Sequence, residues 1–161
     1  MALLLLATAG AVSCRNQARD NTGPAGGTPP ADQIMIGVTT TLVTGGARRG
    51  LVSADSAFVS HDSRHIRFTG LRATLFDTAG HDVSRLTALR ATLNVDTGIL
   101  DASGSVQVST PAGDTLTAAR LTYDQRLMLL HTDSAFTRVA KAVVSRGVGY
   151  TSDPGLRRQQ P

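Results

Sequence analysis

Leu100-Asp101-Ala102-Ser103-Gly104-Ser105-Val106-Gln107-Val108-Ser109 alternates small or apolar residues with polar ones from end to end. Successive side chains of an extended chain point to opposite faces. Leu100, Ala102, Gly104, Val106 and Val108 therefore share one face, and the polar residues share the other. This is the pattern of a half-buried strand. Turn signals bracket it, Thr97-Gly98 before and Pro111-Ala112-Gly113-Asp114 after. Working outward, the same period recurs. Ile34, Ile36, Val38 and Leu42 fall on one face, with Thr39 and Thr41 on the other and a turn at Gly45-Gly46. Val52, Ala54 and Phe58 alternate with Ser53, Asp55 and Val59, and Ile66 and Phe68 alternate with Arg67 and Thr69. Six or more strands with turns at short spacing predict an all-β sandwich, barrel or solenoid. Only Thr137 to Ser145 reads equally well as strand or short helix. Composition agrees: aromatics are 4% with no Trp, and the apolar residues are mostly Val, Leu, Ile and Ala. No long stretch after residue 20 has helical apolar spacing.

Internal echoes add detail. Arg72-Ala73-Thr74-Leu75 recurs as Arg90-Ala91-Thr92-Leu93, and Leu86-Thr87-Ala88-Leu89-Arg90 recurs as Leu116-Thr117-Ala118-Ala119-Arg120. In the second pair the apolar phase slips in mid-strand. Leu86 and Ala88 give way to Leu89, Ala91, Leu93 and Val95; Leu116 and Ala118 give way to Ala119, Leu121 and Tyr123. A slip of one residue exchanges the buried face, so each strand is expected to carry a bulge or corner. A folded-over sandwich needs strands of that kind, which pass from one sheet to the other. Chance repetition in β-rich sequence is the competing explanation for the echoes.

A net charge of +4 raises nucleic acid as a partner. The cations are nearly all Arg, with Lys141 the only Lys, and every acid is Asp. Arg is scattered singly among Asp, without a stripe or interleaved aromatics, so solvated strand faces explain it better and no nucleic-acid partner is expected. His61-Asp62-Ser63 is no triad, because neighbours on a strand diverge and a triad converges from separate segments. His61, His65, His81 and His131 lack the company of Glu, of a second Cys or of a close His-x-His pair, so neither a metal nor another cofactor is expected. Gly147-x-Gly149 runs into Asp153-Pro154, which denies it the helix of a nucleotide loop. A non-enzymatic protein is the expectation.

Residues 1–14 hold an apolar run, Ala2 to Ala11, that ends in Ala11-Val12-Ser13-Cys14. The run is shorter than the ~20 residues of a membrane span. It fits the core of an export signal with a small-residue cleavage site. Cys14 is the only Cys and has no partner for a disulfide. Its setting resembles the lipobox of bacterial lipoproteins, in which that Cys becomes the lipidated first residue. No Lys or Arg precedes the run, a departure from the usual signal, and a chance Cys in an ordinary signal is the rival reading. Residues 15–32 are Gly, Pro and small polar residues, with no apolar side chain larger than Ala, and read as a flexible tether. Residues 33–156 then form the domain, and 157–161 a tail.

Within that domain the chain resembles LptC, the periplasmic subunit of the lipopolysaccharide export machine, and more broadly the OstA-like domains. Leu51-Val52-Ser53-Ala54-Asp55-Ser56-Ala57, Thr97 to Val108, Gly113 to Asp124 and Gly147 to Leu156 carry the resemblance, in the family's order and spacing. It implies a folded-over β-jellyroll whose apolar interior holds lipopolysaccharide acyl chains. It also implies pairing with neighbouring jellyrolls of a protein bridge and docking on an inner-membrane ABC transporter. The implied groove would be walled by Val52, Ala54, Phe58, Ile66, Phe68, Leu89, Leu93, Leu100, Val106, Val108, Leu121 and Tyr123. The family's usual N-terminal membrane helix is replaced here by the lipobox-like signal, which implies a periplasmic domain on a lipid anchor, with the inner membrane favoured over the outer. Two function classes stay open: lipopolysaccharide transfer, or a structural envelope lipoprotein that binds protein partners only.

Overall fold

The computed structural model describes residues 31–157. Eight strands follow one another: β1 Ala31–Thr44, β2 Ala47–Ser60, β3 His65–Phe76, β4 Asp82–Asn94, β5 Ile99–Ser109, β6 Thr115–Asp124, β7 Leu129–Ala140 and β8 Val143–Ser152. Each pairs antiparallel with the next, giving one sheet in sequence order. The all-β expectation holds. Thr137 to Ser145 resolves into the end of β7, a turn at Lys141 and Ala142, and the start of β8. β1 begins at Ala31, so the last two residues assigned to the tether are already strand. The expected export signal, Cys14 and the first sixteen tether residues lie outside the described residues.

Eight strands of 10 to 14 residues do not stay flat. Pairing is interrupted near the middle of every strand, and the interruptions line up across the sheet. They fall at Gly37 on β1, Ala54-Asp55 on β2 and Gly70-Leu71 on β3, then between Thr87 and Arg90 on β4 and between Ser103 and Val106 on β5. They continue between Ala118 and Thr122 on β6, Thr132 and Ala135 on β7, and Val148 and Tyr150 on β8. Gly37, Gly70, Gly104 and Gly149 take positive φ of 64°, 61°, 78° and 79° along this line. The sheet folds over there, and each strand contributes half its length to each of two layers.

The corner decides which side chains face inward. Leu86 and Ala88 are buried before it, and Ala91 and Leu93 after it, on the opposite parity. Leu116 gives way to Leu121 and Tyr123 in the same manner. Strand β5 keeps its parity across the bend, because Gly104 and Ser105 both adopt positive φ and absorb one extra residue. Inward residues of both layers form a single apolar cluster, so one core serves the whole molecule.

Candidate functional site

Three rows of paired residues wall the interior. Val52, Ala73, Leu86, Val108 and Leu116 lie side by side on β2 to β6 in one layer. In the other layer Phe68, Ala91, Ala102 and Leu121 form one row, and Ile66, Leu93, Leu100, Tyr123 and Leu130 form the next. Antiparallel register brings these side chains next to one another on one face. Val52, Leu100, Val108, Tyr123 and Leu130 have no exposed surface at all. Ile66, at the β1 side, is only partly buried.

Ten of the twelve residues expected in the groove are inward: Val52, Ala54, Ile66, Phe68, Leu93, Leu100, Val106, Val108, Leu121 and Tyr123. Two are not. Leu89 is 60% exposed, because the break in β4 leaves it unpaired on the convex side, where its side chain lies 3.1 Å from the Cβ position of Gly104. Phe58 also faces out. The corner at Asp55 reverses the parity of β2, so Ala57, fully buried, takes the inward place opposite Phe68. Phe58 instead pairs with Ile34 and lies under the Arg67 guanidinium, 6.0 Å from ring centre to Cζ. The bend at Gly37 likewise turns Ile34 and Ile36 outward, 61% and 86% exposed, and puts Met35 inward. Leu71, Leu75, Leu130, Tyr150 and Leu156 complete the core without having been read as part of it.

The two layers meet at their far ends. Thr44 Oγ1, on the β1–β2 hairpin, donates to Gln125 Oε1 at 3.3 Å, and Tyr123 Oη reaches the Arg49 carbonyl at 3.5 Å. Burial pushes the Tyr123 phenol up to about 12, with the Arg49 charge opposing it. Beside this contact, a cavity of about 440 Å³ opens to the surface, lined by Thr40, Leu42, Thr44, Ile66, Leu93, Val95 and Gln125 among others. On the β8 side the turn after Ser152 covers the core, with Leu156 1% exposed. The apolar interior is therefore covered by Leu156 beside the end of β8 and reaches the surface beside β1.

Chemically, such an interior offers an apolar surface withdrawn from water. Among the described residues no three His, Cys, Asp or Glu gather to hold a metal, and His61-Asp62-Ser63 forms the β2–β3 turn. Among the described residues, the inward surface carries the ion pair of Arg138 with Asp114 at 3.6 Å, at its β8 end.

A family model described as "Lipopolysaccharide-assembly, LptC-related" matches residues 1–158. The chain belongs to the LptC family. No curated protein matches it. Membership makes this a component of lipopolysaccharide transport, a family of the periplasm associated with the inner membrane, and the folded-over sheet is the LptC-type jellyroll. Among the described residues, no helix is long and apolar enough to cross a membrane.

Proposed function

We propose that this LptC-family jellyroll takes lipopolysaccharide acyl chains between its two layers and passes them to a neighbouring jellyroll, without catalysis. The observation that carries the reading is the aliphatic interior, continuous across β2 to β7 and opening at the cavity beside Leu42, Ile66 and Leu93. Each CH₂ moved from water into such a space contributes about 0.8 kcal/mol. The core is packed, so chains enter by parting the layers at the mouth, where Thr44–Gln125 and Tyr123–Arg49 are single, long hydrogen bonds. We further propose that Cys14 is the acylated N-terminus of the mature protein and that residues 15–30 tether the domain to the inner membrane. Its protein partners are the ABC transporter below and the next jellyroll above.

A photo-crosslinking residue at Val106, 2% exposed, tests the reading against one at Gln107, which faces solvent. In cells, Val106 captures lipopolysaccharide and Gln107 does not. If no inward position captures lipid while the domain stays folded, the acyl-chain reading fails. The full burial of the core residues favours the second reading, a β domain that binds proteins only, and that outcome would establish it.

A further inference from the structure

The C-terminal turn is built into the interior rather than laid over it. Asp153–Arg157 folds back after β8: the Leu156 N–H donates to the Asp153 carbonyl at 3.0 Å, and the Arg157 N–H donates to the Asp153 carboxylate at 2.7 Å. This places the Leu156 side chain in the same apolar cluster as Leu100 and Leu116. It does so at φ +56°, a left-handed conformation that a branched side chain rarely holds without compensation. The compensation comes from burial and from Arg138. This arginine sits opposite Leu116 on the inward face of β7, and its Nη2 donates to the Leu156 carbonyl at 3.3 Å. Its side chain is 17% exposed, its Nε is buried without a partner, and Asp114 holds its charge from the other side at 3.6 Å. The arginine's charge is met by Asp114 on one side and by the Leu156 carbonyl on the other, so the turn is fastened through one side-chain contact rather than through strand pairing.

We propose that Asp153–Arg157 is a displaceable plug, in which Leu156 fills the β8 end of the acyl-chain space and Arg138 is the latch that holds it there. The proposal rests on the acyl-chain reading above. Among the described residues this turn covers the interior from outside the sheet ladder, so it can leave without breaking strand pairing. Loading the interior drives Leu156 out, and the end nearest β8 opens only when cargo is present. While the plug is seated, apparent lipid affinity falls by the fraction of molecules in which it is open.

The test uses the full chain with dansyl-undecanoic acid as a single-chain probe and amide hydrogen exchange as the readout. Saturation with probe accelerates exchange at the Leu156 and Arg157 amides by about tenfold or more, while amides of β5 are unchanged or slowed. Leu156→Gly relieves the φ strain and empties the plug position, and binds the probe about tenfold more tightly than the native chain. Arg138→Met, similar in length and unable to donate, speeds exchange at the same two amides without probe. Should Leu156→Gly lose its fold, the exchange measurements on the native chain and on Arg138→Met still decide. Probe binding that leaves the Leu156 and Arg157 amides as they were overturns the plug and spares the acyl-chain reading. No probe binding to the native chain or to Leu156→Gly overturns the acyl-chain reading, and the plug with it.

Discussion

Gly70 is the sharpest test of the corner line. It sits in mid-β3 at φ +61°, and a Cβ built there would lie 2.0 Å from Asp55 Oδ2 and 2.4 Å from Asp55 Cγ. Gly70→Ala therefore does two separable things. It places an L side chain in the left-handed region, which costs about 1–2 kcal/mol. It also forces the Asp55 carboxylate to rotate away from Arg72, whose Nη2 lies at 3.3 Å. Both partners of that pair are more than 60% exposed, so losing it costs only about 0.2–1 kcal/mol. Together these predict a loss of about 1.2–3 kcal/mol, or a drop in Tm of about 4–12 °C for a domain of this size. Gly80→Ala is the reference, at φ +86° in the β3–β4 turn with nothing within 4 Å of its Cβ position, so it carries the backbone strain alone. Asp55→Ala removes the obstructing carboxylate.

Urea unfolding of Gly70→Ala, Asp55→Ala, the double variant and Gly80→Ala gives the four free energies. The expected coupling between positions 55 and 70 is about 0.5–1 kcal/mol, with Gly70→Ala less destabilising in the Asp55→Ala background. A Gly70→Ala variant as stable as the native protein would show that β3 does not bend at this residue. The assignment of inward faces on either side of it would fall as well.

The faces themselves make a second prediction: Leu100→Ala, at a residue with no exposed surface, loses about 2–5 kcal/mol in chemical denaturation. Leu89→Ala, on the outer side of the bend, changes stability by no more than about 0.5 kcal/mol. The Tyr123 phenol predicts a pH dependence. Its folded pKa of about 12 lies above the ordinary value near 10, so between the two the unfolded chain sheds a proton that the folded chain keeps. Stability falls as pH rises through that window, and the Tm of Tyr123→Phe declines less between pH 9 and pH 11 than that of the native protein. For the anchor, Cys14→Ala abolishes labelling by a clickable fatty acid in a Gram-negative host, and equal labelling of the variant would remove the lipoprotein assignment.

Period-two patterning carries far when a strand is straight, and much less far when it bends. Strand β5 was readable throughout because Gly104 and Ser105 both take positive φ and restore the parity they interrupt. Strands β4 and β6 announced their corners as a slip in apolar phase, yet the slip is ambiguous over two residues, and that ambiguity misplaced Leu89. On β1 and β2 the signal was absent, since Ile34 and Ile36 are as apolar as the inward Met35 and Val38, and Phe58 outranks the small Ala57 that is fully buried. Hydrophobicity alone cannot order residues that compete for a face across a bend. What separates them is the glycine or carboxylate at the bend, Gly37 and Asp55, whose meaning depends on the neighbouring strand. Gly37 lies opposite Asp55, and Asp55 opposite Gly70, so three weak local signals become one corner only after the strands are paired. The same holds at the other end of the interior. Nothing local marks Leu156 as core or Arg138 as inward, because each acquires its place from a contact between segments that pairing alone brings together. The acyl-chain reading inherits this division: its walls were legible as alternation, and its two ends, at the β1 mouth and the β8 turn, came only from the fold.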